Sequence, residues 1–381
     1  MKKTTLKVGL IGFGAMGKTH AYAIQNLPFF FSGLPFRASV EGVVTRSLLK
    51  SQEVAQTYGI PLALTDESIL IDDPDIDIID ICTPNILHYE TAKRALLAGK
   101  HVYCEKPLCD TYEKASELAA LAKARGLVNM TVFNNRHLTA VIRARQLIDE
   151  GRLGRLLHFD MQYLHNSCID PDRTVGWKQD STLCGAGGVL FDLGSHVLDL
   201  AVFLCGKMKS ITGKSQIAYA THKTSTGEDW QTNAPEAFYI MATTTQGAEG
   251  MITVSKLTSG ACDDLRFCIY GERGSLRFSL MQPNYLEFYD ATVADKPQGG
   301  MRGYTQIECV GRAPAPGGVF PAPKAPVGWL TGHVMSMGRF LQAVYNGTEV
   351  SPDFTDAAYV QYLMELALRS DREGRRLEAD P

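Results

Sequence analysis

Two short segments of this chain carry side chains whose types and spacing suit acid–base and oxyanion chemistry. The first, Cys104-Glu105-Lys106-Pro107, closes an apolar run, His101–Cys104. An ammonium at a strand end beside a carboxylate can donate to a substrate oxygen and steady a developing alkoxide. Lys106 could equally be a surface lysine paired with Glu105. The second segment is Gly185–Leu200, GAGGVLFDLGSHVLDL. On a helix, Asp192, His196 and Asp199 fall at i, i+4 and i+7, on one stripe. A histidine with a carboxylate one turn away is a general-base arrangement, in which the carboxylate orients and tunes the imidazole. The same pattern fits a histidine satisfied in the core, or an Asp-x-x-x-His-x-x-Asp metal set. No further ligand cluster accompanies it, so no metal is expected.

A third segment suits binding rather than reaction. Lys7–His20 reads KVGLIGFGAMGKTH, with Gly12, Gly14 and Gly17 between an apolar run and a helical pattern. This is the G-x-G-x-x-G fingerprint of a dinucleotide-binding βαβ unit in its required context. Gly12 permits the tight turn, Gly14 lets backbone N–H groups approach a pyrophosphate, and Gly17 lets helix and strand pack closely. The anion then rests at a helix N-terminus, where unpaired N–H groups and the macrodipole favour it.

These groups need a scaffold, and the chain predicts one in two parts. Strand-like runs at 7–11, 39–44, 76–82, 101–104 and 128–132 alternate with helical patterns at 16–26, 48–58, 85–98 and 112–124. That alternation predicts a doubly wound parallel α/β sheet of the Rossmann type over 1–135. Leu27–Phe36 reads as an apolar insertion. The remainder, 136–381, predicts an α+β domain with a large, mostly antiparallel open sheet for substrate binding and oligomerisation. Its strands are expected at 156–164, 209–219, 238–245, 249–257, 264–270, 274–279 and 285–289, with a helix over 191–205. Ala291–Gly328, rich in Pro and Gly, reads as a long loop. A closing helix over 355–370 would be able to pack back toward the first domain.

Composition fits an enzyme of small molecules. The 381 residues carry a net charge of −3, which gives no electrostatic reason to expect nucleic acid or an anionic membrane. No apolar stretch approaches the roughly 18 residues of a membrane span, and the short apolar run after Met1-Lys2-Lys3 belongs to the first strand rather than a signal peptide. The nine cysteines are scattered without a C-x-x-C pair, as expected of reduced thiols in a cytoplasmic protein.

Four segments resemble the Gfo/Idh/MocA family, named for glucose–fructose oxidoreductase and inositol dehydrogenase. GFGAMGKTHA is similar to its glycine motif, and CTPNILHYETAKRALLAGKHVYCEKPL to its T-P-N…H…A-G-K-H-V…E-K-P signature. GGVLFDLGSHVLDL resembles its G-G-x-L-x-D-x-G-x-H-x-x-D helix, and SPDFTDAAYVQYLMELALRS its closing helix. The resemblance implies that Lys106, Asp192 and His196 form the catalytic trio. It implies a nicotinamide cofactor held by Gly12, Phe13, Gly14, Ala15, Met16 and Gly17, by Thr45 and Arg46, and by Thr83, Pro84, Asn85, His88, Glu105 and Lys106.

GRLGRLLHFDMQYLHNSCIDPDRTVGWKQD is similar to members acting on sugars or glycosides. The expected activity is therefore NAD(P)-linked interconversion of a secondary alcohol and a ketone on a sugar, glycoside or cyclitol. An NAD-dependent glycosidase with no net redox change, and a non-catalytic sugar or nucleotide sensor, are the alternatives. Substrate contacts are expected from Lys106, Tyr163, His165, Trp177, Asp192 and His196. NAD enzymes place an acidic residue at the end of the second strand. Here that strand ends Val44-Thr45-Arg46-Ser47, with Glu41 too early, and an Arg fork suits a 2′-phosphate, so NADP is favoured over NAD. Apolar alternation over Phe238–Leu257 predicts a homodimer or homotetramer built on the open sheet face.

Overall fold

The structure is a computed structural model that describes residues 4–310, 320, 322 and 324–380. The described residues fall into two compact units: 4–134, 320, 322 and 330–361 form the first, and 135–310, 324–329 and 362–380 the second.

In the first unit, β1 (Thr5–Ile11), β2 (Arg37–Val44), β3 (Leu62–Leu64), β4 (Ile78–Ile81), β5 (His101–Cys104) and β6 (Asn129–Thr131) form one sheet in the order β3-β2-β1-β4-β5-β6. Every pair is parallel. This is the expected doubly wound sheet. The strand order reverses between β1 and β4, which makes the crevice at their carboxyl ends the topological switch point. β4, Ile78-Ile79-Asp80-Ile81, is buried throughout, as a strand covered on both faces must be, and Asp80 is its one charge.

The first helix, Ala15–Phe30, is a turn longer than the sequence suggests. Leu27–Phe30, read as part of an insertion, is its last turn. Pro28 offers no N–H there, but Leu27 and Phe30 are buried and the Phe31 N–H closes on the Leu27 carbonyl at 2.9 Å. β3 was not expected, since three residues are too few to show a period. Helix Trp329–Asn346 contributes residues 330–346 to this unit. Ser336 Oγ lies 2.7 Å from Tyr103 Oη, and a Cβ on Gly338 would lie 2.5 Å from the Phe31 ring.

The second unit holds β7 (Leu156–Leu164), β8 (Met208–Gln216), the hairpin β9 (Thr221–Lys223) and β10 (Asp229–Gln231), β11 (Ala237–Thr244), β12 (Glu249–Ser255), β13 (Asp264–Gly271), β14 (Gly274–Ser279), β15 (Tyr285–Asp290), β16 (Tyr304–Glu308) and β17 (Leu377–Glu378). Nine of them form a sheet ordered β16-β15-β14-β13-β7-β12-β11-β8-β17. Only β7 with β12 is parallel, so the sheet is mostly antiparallel, as expected. Helices Thr139–Asp149 and Ser195–Cys205 pack on one face. On the strands' other side chains, Leu157, Tyr239, Met241 and Met251 stay exposed. β16 lies within the stretch read as a loop; residues 311–319, 321 and 323 of that stretch lie outside the described residues. No helix among the described residues is long and apolar enough to cross a membrane.

Candidate active site

The glycine turn after β1 meets three separate steric demands. Gly12 has φ +94°, and a Cβ there would lie 2.6 Å from the Cys82 carbonyl oxygen, so only glycine fits. A Cβ on Gly17 would lie 2.4 Å from the Gly12 oxygen. A Cβ on Gly14 would meet nothing within 4 Å, which leaves an open cradle at the N-terminus of helix Ala15–Phe30. No side chain caps that terminus and no acidic residue sits in its first turn. The Thr83 hydroxyl, at the end of β4, is buried with no hydrogen-bond partner. An uncapped helix start, a glycine cradle and an orphan hydroxyl fit a dinucleotide.

Behind the switch point sits a buried charged network. His20 Nδ1 lies 2.8 Å from Asp80 Oδ1, and His20 Nε2 lies 3.1 Å from Glu105 Oε1. The Lys106 N–H donates to Glu105 Oε2 at 3.1 Å. Burial alone would strip the His20 proton, but the Asp80 charge beside it, with Cys82, holds its pKa well above the ordinary imidazole value. Burial would raise Glu105, yet the His20 hydrogen bond and charge, with Lys106 alongside, bring it down to about 2. Burial pushes the nearby His333 down to about 3 and pushes the Cys82 thiol up.

His88 is fully buried. Its ring nitrogens face the carbonyl oxygens of Pro107 at 2.9 Å and Thr83 at 2.8 Å. Burial lowers the pKa of this imidazole, and the two backbone bonds work against that shift. It holds the two strand-end loops by their backbones. At the end of β2, Thr45 Oγ1 is bonded to Ser47 and Ser51, Arg46 is exposed, and Glu41 is occupied by the Ser39 hydroxyl.

In the second unit, Leu190–Gly194 forms a π-helical turn that runs into helix Ser195–Cys205. Such wide turns recur at functional sites. The expected single helix is therefore interrupted, and its acidic residues take different partners. Asp192 accepts from Lys178 at 2.8 Å and pairs with the buried Lys256 at 3.1 Å. Asp199 is gripped by Arg136, Nε to Oδ2 at 2.8 Å and Nη2 to Oδ1 at 2.5 Å, with both side chains buried. The glycines before the turn approach protein: a Cβ on Gly187 would lie 2.1 Å from the Phe191 ring, and one on Gly188 2.6 Å from the Pro235 oxygen.

The His196 ring stands edge-on to Tyr163 at 5.9 Å between centroids. Tyr163 Oη donates to Asp263 Oδ1 at 2.6 Å, and His165 Nε2 lies 3.0 Å from the same oxygen. Burial would raise the Asp263 carboxyl, but those two bonds hold it below the usual aspartate range. Burial and the Asp263 charge push the Tyr163 phenol well up. Trp177 is half exposed, with the Lys178 ammonium 5.8 Å from its ring centre. Tyr163, His165, Asp192 and His196 thus share one neighbourhood. Sequence reasoning missed Lys256 and Asp263. Lys256 follows the apolar strand β12 as Lys106 follows β5, a signal that was available; nothing local marks Asp263.

Residues 6–133 match the GFO_IDH_MocA family, described as an oxidoreductase family with an NAD-binding Rossmann fold, and residues 141–277 match the GFO/IDH/MocA C-terminal domain. Levoglucosan dehydrogenase of Pseudarthrobacter phenanthrenivorans is 30% identical over 378 residues, 96% of each chain. D-xylose dehydrogenase of Paenarthrobacter nicotinovorans is 29% identical over 217 residues, 55% of each chain. A solved structure of levoglucosan dehydrogenase in complex with NADH and levoglucosan matches with a TM-score of 0.94 at 29% identity, covering 99% of this chain and 100% of that one.

Proposed function

The chain belongs to the GFO/IDH/MocA family of NAD(P)-dependent oxidoreductases, and on that premise we propose that it interconverts a secondary alcohol and a ketone on a sugar, anhydro-sugar, glycoside or cyclitol. The observation that carries the reading is the likeness to levoglucosan dehydrogenase over 96% of both chains. The bound nicotinamide supplies the hydride acceptor. The Gly12–Gly17 turn and the Ala15–Phe30 helix start hold the pyrophosphate, and Thr83 gives the cofactor a hydroxyl. His196 accepts the substrate hydroxyl proton. Asp192, fixed by Lys178 and Lys256, orients His196 or a substrate hydroxyl. Lys106 supports the developing oxyanion, and the rate comes mainly from positioning and preorganised charge.

Tyr163, His165 and Trp177 contact the sugar, the first two aligned by Asp263. Arg46 binds a 2′-phosphate, which favours NADP over NAD. Two copies or more associate through the sheet face that carries Met241 opposite Met251, a surface a lone chain leaves in water.

A panel of levoglucosan, xylose, inositols and simple glycosides, assayed with NAD and NADP by the absorbance of the reduced nicotinamide, tests the reading. Reduced cofactor should accumulate with at least one member. Glycoside cleavage without accumulation would replace dehydrogenase with glycosidase, and no turnover with any member would overturn the reading.

A further inference from the structure

We propose that His20 is a positioning residue: a buried imidazolium that joins the carboxyl ends of β4 and β5 and, through Glu105, fixes the main chain of Lys106. The inference rests on the reading that Lys106 acts at the reacting oxygen. Its basis is geometric. Both His20 nitrogens face carboxylates, Asp80 at 2.8 Å and Glu105 at 3.1 Å, and a carboxylate only accepts. Both nitrogens must therefore carry hydrogen, which makes the ring a cation. All three side chains are almost wholly buried.

Glu105 spends its two oxygens in opposite directions, Oε1 on His20 and Oε2 on the Lys106 N–H. The backbone of Lys106 is thus tied to the helix that begins at the glycine turn. Tyr103 and His333 cover the ring, with centroids 5.2 and 6.2 Å away. Cys82 Sγ also lies 3.1 Å from Nδ1, so His20, Asp80 and Cys82 bring three donor atoms together, as a metal site would. Both His20 nitrogens are already committed to hydrogen bonds and the thiol is held protonated, which fits a charge clamp better than a ligand set.

Without the imidazolium nothing anchors Glu105 Oε1, and the side chain whose Oε2 accepts from the Lys106 N–H is free to turn away. The full-length protein carrying His20→Gln, Glu105→Gln or both provides the test, with two readouts. Hydrogen exchange followed by mass spectrometry should show faster exchange in the peptide containing Cys104–Leu108, with β1 unchanged. Steady-state kinetics should show kcat down by about tenfold to a hundredfold, the range for a small misplacement of a catalytic group. The cofactor KM of His20→Gln should stay within about twofold, and the kcat of the double variant should be no lower than that of the poorer single one.

Unchanged exchange or unchanged kcat in folded His20→Gln, or multiplicative losses in the double variant, overturns the clamp. If His20→Gln does not fold, Glu105→Ala, which leaves no oxygen to accept from the Lys106 N–H, must show the faster exchange in that peptide. A wild type without turnover on any sugar sinks the functional reading instead, and the exchange experiment still decides whether His20 holds the Lys106 backbone.

Discussion

Replacing Arg136 by Met should destabilise the second unit by a large share of its folding free energy while leaving it folded in water. Arg136 and Asp199 form a two-point pair at 2.8 and 2.5 Å, with side chains only 6% and 1% exposed. Asp199 lies on the same helix as His196, one turn further on. Two unit charges about 4 Å apart attract by about 4 kcal/mol at an effective dielectric of about 20. Removing one partner leaves the other buried and uncompensated, at a cost of about 3–5 kcal/mol. Against a total stability of about 5–15 kcal/mol, that is a large loss.

All three tryptophans, Trp177, Trp230 and Trp329, belong to the second unit, so their fluorescence during urea unfolding reports on that unit. With a slope of about 2–3 kcal/mol per molar urea, the midpoint should fall by about 1–2 M. Arg136→Met combined with Asp199→Leu removes both charges and should recover most of the loss, because an apolar pair of similar volume often replaces a buried ion pair at no net cost. A single variant whose midpoint matches wild type would refute the reasoning, since burial and attraction would then nearly cancel at this site. Failure of the double variant to recover would show that the pair does more than neutralise charge.

Four further outcomes are expected. His196→Ala should lower turnover by about 10²–10⁴-fold, as for loss of a general base, with the cofactor dissociation constant unchanged by fluorescence titration. Arg46→Ala should weaken NADP binding by about 10–100-fold, the range for a lost charged hydrogen bond, and leave NAD binding alone; equal effects on both would show that Arg46 merely stacks on adenine. Gly14→Ala should keep the wild-type melting temperature but weaken cofactor binding, because its Cβ enters open space, whereas Gly12→Ala should lower the melting temperature outright.

The last outcome concerns pH. The folded-state values of His333 (about 3) and Glu105 (about 2) lie below their ordinary ones, 6.5 and 4.5, so each contributes stability above its ordinary value and loses it as pH falls through the interval. Stability of the first unit should therefore drop on acidification from pH 6.5 toward 3, measured as amide exchange in β4 and β5. A His333→Leu variant should lose the upper part of that dependence.

The first unit was the more legible of the two, because each of its signals is local. Gly12, Gly14 and Gly17 meet their three demands within six residues, and the Lys106 strand end is written in one tetrapeptide. Helix ends at Gly99 and Gly126 announce themselves by the left-handed backbone that glycine supplies. Helix Leu190–Cys205 was legible as helix, but its π-helical turn was not: the apolar spacing survives one extra residue, while the partners of Asp192 and Asp199 change. Arg136 and Asp263 went unread because each acquires its role from a residue far along the chain, and no periodicity encodes such a pairing; Lys256 had its strand-end position as a signal, but its partner Asp192 lies as far away. His20 stood in plain view within the glycine motif, and its meaning depends on Asp80 and Glu105, which only the sheet order brings beside it.

Residues 330–361 return to the first unit after the chain has built most of the second. Synthesis runs from the N-terminus, so about 200 residues must emerge between Asn134 and the helix that supplies His333, Ser336, Gly338 and Phe340. At about 5–20 residues per second that is a wait on the order of 10–40 s. Throughout it the Tyr103 hydroxyl lacks Ser336, and the rings of Phe31 and Tyr103 lack the surface that Gly338 and Phe340 lay over them. Through that interval the first sheet leaves an apolar surface uncovered. A fragment cut at the end of β6 would keep the whole glycine motif and still present that bare surface to solvent.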